Sequence, residues 1–274
     1  MARTRASGTF VPGSEGNVSP DDPSAVLTLA RGLEVLKCFD LRHQYLGNKE
    51  IAQMTGLSKP AVSRITYTLA RFGFLRYSQR LRQYSLGASI LTTAYPFLAH
   101  MRIRQVARPL MQAMANEIGG VVSMGVQLGR SMVYVESCAS DRSVSPVVAG
   151  IGSKIPIYPT AMGRAYLVGI EEKERKQLLD SITPGWDQKG SKYRAMVDDA
   201  IEQYNKWGFC TAIPNLVKET RSVGVPLRCV VDEQRFAFNC GMPVVRLKAG
   251  QIESEIGPRL MDLVRNVEQL FGHQ

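Results

Sequence analysis

At 274 residues, 45% of them hydrophobic, the chain is long enough for about two domains with a core in each. Its formal net charge of +10 favours a polyanionic partner. No stretch approaches the ~18 consecutive apolar residues of a membrane-spanning helix, and Met1–Pro23 lacks the apolar centre of a signal peptide.

Residues 1–23, rich in Gly, Ser and Pro with Arg3 and Arg5, read as a disordered tail. A first helix is predicted from Ser24 to Asp40, with Ser24 as its cap and Val26, Leu29, Ala30, Leu33, Leu36 and Phe39 on one face. The stretch Asn48 to Tyr67, NKEIAQMTGLSKPAVSRITY, then has the spacing of two short helices crossing tightly. Ile51 and Ala52 begin an apolar stripe, and Ala52 is small enough for a second helix to approach. Gly56 can take the positive φ that ends the first helix. Ser58 can cap the second, with Pro60 in its first turn, where a missing N–H does no harm. Val62, Ile65 and Leu69 recur at three and four, leaving Lys59, Ala61, Ser63, Arg64 and Tyr67 on the other side. A helix-turn-helix places that outward face in the major groove of DNA.

The run Phe72-Gly73-Phe74-Leu75 ends the helix, and Arg76–Leu86 reads as a hairpin with a basic tip. That is the wing of a winged helix, with Arg80 and Arg82 placed to meet phosphates or a minor groove. From Leu41 to Gln83 there are eight Lys or Arg against one acid, Glu50. Such segregation of sign suits a polyanion, whereas an ordinary solvated surface mixes charges. Arg64 is the candidate for a bidentate guanine contact, its alternative being a phosphate clamp, and Lys59 supplies sequence-independent affinity.

Residues 24–86 thus form a DNA-binding domain. Residues 87–101 form a linker helix too apolar to lie free, which packs on its own chain or on a second copy of it. In the second domain, residues 102–274, Ile103, Val106, Leu110, Met114 and Ile118 mark an amphipathic helix that Pro109 is expected to bend or divide. Val121–Val126 and Met132–Ser137 read as a hairpin turning at Gly129. After a polar loop at Ser140–Ser145 come Val147-Val148, then helices at Ala161–Gly169, at Glu172–Ser181 and around Tyr193–Tyr204. Strands are predicted near Phe209–Ala212, Ser222–Cys229 and Arg235–Cys240, and a closing helix carries Ile256, Leu260, Leu263, Val267 and Leu270. Interleaved helices and antiparallel hairpins favour an α+β fold with one central sheet.

The five cysteines, Cys38, Cys138, Cys210, Cys229 and Cys240, are scattered without a C-x-x-C pair, which suits a reducing cytoplasm. None of the three histidines, His43, His100 and His273, stands four residues from another or near a cysteine cluster, so no metal site is expected. No cofactor motif or catalytic constellation stands out either. Gly150-Ile151-Gly152-Ser153-Lys154 lacks Walker spacing and is followed shortly by Pro156, and no G-x-S-x-G elbow occurs.

Several of these segments, in order, resemble the IclR family of bacterial transcriptional regulators from Ser24 to Gly272: Leu29-Ala30-Arg31-Gly32-Leu33-Glu34-Val35-Leu36, EIAQMTGLSKPAVSRITYTL, Tyr84-Ser85-Leu86-Gly87, Gly152-Ser153-Lys154-Ile155-Pro156, Thr160-Ala161-Met162-Gly163-Arg164-Ala165 and Val223-Gly224-Val225-Pro226. The resemblance implies a winged helix-turn-helix joined by a helix to a GAF-like effector-binding domain, working as a homodimer or a tetramer on double-stranded operator DNA, with a small carboxylic or aromatic acid as effector. By position it implies an effector pocket of Ala161, Met162 and Gly163 at a helix start with Ser222, Asn239 and Gly241 on late strands. Free N–H groups at a helix start attract an anion, and hydroxyl or amide groups orient it. Two departures stand out: Cys210–Asn215 replaces an acidic run common in the family, and Arg164 replaces a lysine. The competing reading is a metabolite-binding sensor or enzyme whose basic domain binds no specific operator.

Overall fold

The computed structural model describes residues 24–141, 150–182, 188–213 and 219–271, with no side chain given at 181, 182 or 188–192. The N-terminal tail, Val147-Val148, most of the polar loop before them, the end of the Cys210–Asn215 run and His273 therefore lie outside the described residues. The chain divides into two compact units, with described residues 24–100 in one and 101–271 in the other.

In the first unit, α1 (Leu27–Lys37), α2 (Asn48–Thr55) and α3 (Lys59–Arg71) precede a two-stranded antiparallel hairpin, β1 (Leu75–Ser78) and β2 (Gln83–Leu86). Val35, Phe39, Leu46, Ile51, Val62 and Leu75 form its core. The face expected of α1 needs correcting. Val35, Cys38 and Phe39 are buried, whereas Val26, Leu29 and Leu33 are 68%, 63% and 51% exposed. Two apolar stripes share this helix, and only the one that meets α2 and α3 turns inward. Its cap position also differs: Val26, not Ser24, stands at the N-cap, with no side-chain hydrogen bond of its own. Beyond the hairpin, α4 (Ser89–His100) runs through Pro96 and buries none of its residues within this unit.

In the second unit α5 (Arg102–Ile118) is one helix with Pro109 inside it, not two, and it ends at Gly119 in the left-handed region. The sheet that follows has six strands, antiparallel throughout, in the order β5-β4-β3-β8-β7-β6. These are β3 (Val121–Leu128), β4 (Ser131–Ala139), β5 (Lys154–Pro156), β6 (Cys210–Thr211), β7 (Thr220–Pro226) and β8 (Phe236–Pro243). The turn between β3 and β4 shrinks to Gly129 and Arg130, because Gly129 adopts a positive φ of 56°. The remaining helices are α6 (Ala161–Gly169), α7 (Glu172–Ile182), α8 (Gln188–Trp207) and α9 (Gly257–Phe271). None of the described helices is long and apolar enough to cross a membrane.

Alternation along the strands gives the sheet two unlike faces. One, with Val122, Met124, Phe236, Phe238 and Cys240 buried, is the side of α5 and α9. Glu136, 1% exposed, lies there and accepts from Arg104 Nη2 at 2.9 Å and Arg108 Nη1 at 2.7 Å, tying β4 to α5. The other face carries α6, held so close that a Cβ on Gly224 would lie 2.1 Å from the Ala161 carbonyl oxygen. Buried Met132, Met162, Leu167 and Ala237 fill the space between.

Candidate nucleic-acid interface and ligand site

In the first unit the turn between α2 and α3 follows the chemistry of its residues. Gly56 closes α2 at φ 70°, and Ser58 Oγ accepts from the Ala61 amide at 3.4 Å to cap α3. Val62 and Thr66 are buried and Ile65 and Leu69 partly so, which rotates α3 until Ser58, Lys59, Ser63, Arg64 and Tyr67 are exposed and Ala61 half-buried. At 100° per residue Arg64 and Tyr67 flank the middle of the outward face, Ser63 and Lys59 lie to one side and Ala61 to the other. Ala61 and Arg64 also border a groove of about 520 Å³ whose opposite wall is Val26, Leu29 and Arg31.

The wing is braced from its base. Tyr77 and Tyr84 pack across the strands with ring centroids 4.9 Å apart and planes tilted by 53°, and Leu46 bridges to Tyr84 as a third strand position. At the tip Arg80 and Arg82 are exposed, and Arg82 holds a positive φ of 54°. The single acid of this basic stretch is already engaged: Glu50 Oε2 accepts from the Gly47 amide at 2.6 Å and from Gln83 Nε2 at 3.2 Å. Its charge therefore ties the start of α2 to the wing.

In the second unit, three of the anticipated ligand residues share one face of the sheet. Ser222 stands opposite Gly241, and Asn239 stands opposite Gly224 on one side and Ser123 on the other. The start of α6 overlies Gly224, where a Cβ would be 3.0 Å from the Met162 amide. Gly163 plays a different part from the one expected: its amide donates to Thr160 Oγ1 at 3.2 Å, and a Cβ there would sit 1.9 Å from the Ile157 carbonyl oxygen. It is a packing position, and the amides of Ala161 and Met162 remain as donors at this helix end. The Met162 side chain turns into the core, its sulfur against Gly125. Above Gly241 a Cβ would meet nothing within 4 Å, so the sheet is open there.

Further polar groups on this face escape a reading of the sequence alone. Ser123 Oγ and Ser137 Oγ lie 3.0 Å apart, and Tyr134, whose hydroxyl neighbours Asn239, has its pKa pushed up to about 12 by burial. Asn239 Oδ1 is buried without a hydrogen-bond partner among the described residues. The signal is the alternation of β3 and β4, readable only once their register with β8 is known. Arg164, by contrast, is buried away from this patch on Asp199, which also accepts from Gln203 Nε2 at 3.1 Å. Gln203 Oε1 in turn accepts from the Thr211 amide at 2.9 Å, so the Arg164 substitution serves to join α6, α8 and β6.

Comparison with known proteins follows the same division. The model of the IclR helix-turn-helix domain matches residues 28–79, and that of the bacterial transcriptional regulator IclR C-terminal matches residues 96–269. The chain belongs to the IclR family. An IclR family transcriptional regulator from Brucella abortus is 36% identical with a TM-score of 0.80, covering 93% of this chain and 96% of that one. The HTH-type transcriptional regulator TsaQ1/TsaQ2 of Comamonas testosteroni is 28% identical over 89% of this chain and 87% of its own length. An IclR homolog from Microbacterium hydrocarbonoxydans, solved in complex with 4-hydroxybenzoate, shares the fold with a TM-score of 0.67 and 18% identity over 88% of this chain and 98% of that one. As an IclR-family member the protein is a DNA-binding transcriptional regulator, as the Brucella and Comamonas relatives are named.

Proposed function

We propose that the protein recognises a palindromic operator through the outward face of α3, with Ser58, Lys59, Ala61, Ser63, Arg64 and Tyr67 at bases or phosphates and Arg80 and Arg82 gripping the backbone or minor groove from the wing. The observation that carries this reading is the exposed, acid-free face of α3 beside a basic wing, with Glu50, the one acid from Leu41 to Gln83, engaged by the Gly47 amide and Gln83. Most protein–DNA hydrogen bonds go to phosphates, and a few base-edge contacts set sequence preference. Arg64, near the centre of the face, is assigned a base contact, and Lys59, Arg80 and Arg82 are assigned phosphates.

The effector is a small organic acid held between the start of α6 and the open sheet. Its carboxylate is received by the Ala161 and Met162 amides, and Ser222 and Asn239 orient its body above Gly241. The 4-hydroxybenzoate held by the Microbacterium protein supports an aromatic acid as the class. The protein acts in the cytoplasm as a homodimer, two reading heads matching half-sites about 34 Å apart. Support for the dimer comes from the apolar residues that α1 and α4 leave exposed, among them Leu29, Leu33, Leu91 and Tyr95.

The test is a gel shift on the duplex upstream of the protein's own gene, over a salt series, with and without small aromatic acids. Preference for that duplex over a scrambled one, altered by an acid by a coupling of about 1–3 kcal/mol, supports the reading. Equal affinity for both duplexes overturns it.

A further inference from the structure

The inward stripe of α1 turns polar where it passes the start of α3. Val35 is buried in the core of the first unit, and Arg31 and Thr28, four and seven residues before it, fall on the same face of the helix. Both are exposed, because α1 stands off from α3 at this end and leaves the groove of about 520 Å³ between them. Thr28 and Arg31 line the α1 side of that groove, and Ala61, Arg64 and Thr68 the α3 side.

Arg31 thereby brings a cation to the flank where α3 has none of its own. Lys59 and Ser63 lie to one side of Arg64 and Tyr67, whereas the other side of α3 carries Ala61 and Thr68, neither of them charged. Arg31 makes no ion pair with a described residue, Glu34 three places further on included, and no carboxylate is among the described residues that line the groove. An exposed guanidinium with its donors free matches the geometry of a phosphate.

The major groove of DNA, about 12 Å wide, is bounded by two phosphate strands, so a helix lying in it has a strand on each flank. We propose that Arg31 is a further DNA contact, made from α1 rather than from the recognition helix or the wing, and that it grips a phosphate of the strand on the Ala61 side of α3. Lys59 meets the strand on the opposite flank. This rests on the operator reading given above, and it divides the backbone grip between two helices whose packing is fixed by the core around Val35 and Val62. The contact carries no sequence information of its own: it holds α3 between the strands and adds affinity for any duplex.

The experiment joins anisotropy titrations to phosphate-ethylation interference, on the full chain, with the duplex upstream of its own gene and a scrambled one. Arg31→Gln is compared with Arg31→Lys and with Lys37→Gln, which removes the same charge from another exposed position of α1. Both positions are exposed, so the variants keep the fold, which their melting temperatures check. Arg31→Gln should weaken both duplexes alike, by about three- to tenfold, and lower the salt slope by about one. It should also erase interference at one phosphate in each half-site, while Arg31→Lys keeps most of the affinity and Lys37→Gln stays within about twofold of wild type. An Arg31→Gln protein that retains every interfering phosphate, or that departs from wild type no further than Lys37→Gln, overturns this inference and leaves the operator reading standing. A wild type without preference for the upstream duplex overturns the operator reading, and this inference with it.

Discussion

Thr66 Oγ1, on a residue with no exposed surface, lies 3.2 Å from Asn48 Oδ1 and 2.9 Å from Val62 O, so its single proton is shared between α2 and its own helix. This hydroxyl reaches across eighteen positions of sequence to join α3 to the start of α2. It adds a polar tie to the packing of Val62, Ile65 and Leu69 that turns Ser63, Arg64 and Tyr67 outward. Thr66→Val keeps the shape and loses the hydrogen bond, so the first unit should lose about 1 kcal/mol in urea unfolding. Arg64→Ala, at an exposed position, should stay within about 0.5 kcal/mol of wild type in the same measurement. An unchanged midpoint for Thr66→Val would mean that packing alone sets the rotation.

Two glycines on the same face of the sheet should behave in opposite ways. Gly224→Ala drives a methyl into the Ala161 carbonyl oxygen, a backbone atom that cannot move aside cheaply, and should destabilise the second unit by about 1–3 kcal/mol. Gly241→Ala meets nothing within 4 Å and should leave the melting temperature near that of wild type. It should nevertheless weaken the response of operator binding to an effector acid, because the methyl occupies the space over the sheet. Thermal scans with and without the acid separate the two effects.

Alkaline pH should unfold the second unit earlier than the first. Burial pushes both Cys210 and Cys240 from 9.0 up to about 12. A thiol that ionises near 9 once unfolded but stays protonated in the fold makes unfolding release a proton above pH 9. Stability therefore falls as pH rises between about 9 and 12, by up to about 1.4 kcal/mol per pH unit for each such thiol, and is unaffected by these groups below that window. Urea midpoints at pH 8 and pH 10 check the sign. A second unit as stable at pH 10 as at pH 8 contradicts it.

The reading head is almost wholly legible in the sequence, since Gly56, Ser58, Pro60 and the Val62, Ile65, Leu69 spacing are local signals whose physics does not depend on the rest of the chain. The inward face of α1 is not, because a helix with two apolar stripes does not say which one its own unit covers. Pro109 misleads for a similar reason: the helix it occupies is held by packing of Ile103, Ala107, Met111 and Met114, all buried, which outweighs a local preference. In the second unit five of the six described strands are legible to within a few residues, whereas β5 is not, and Ser123, Ser137 and Tyr134 do not stand out. Their meeting with Asn239 is a matter of register between β3, β4 and β8, with a bulge between Met124 and Gly125 that no single strand records. Gly163 looks like a ligand residue because it stands beside Ala161, whereas its amide and its Cα are both already engaged.

Whether the outward face of α3 lies against DNA is tested most directly by fluorescence anisotropy with the duplex upstream of the protein's own gene. Arg64→Ala should weaken binding by about 1–3 kcal/mol and reduce discrimination against a scrambled duplex, while Lys59→Ala should weaken both duplexes alike and lower the salt slope by about one. If Lys59, Arg64 and Tyr67 are all changed to alanine and affinity, preference and salt dependence stay those of wild type, the DNA lies elsewhere and the proposed interface is wrong.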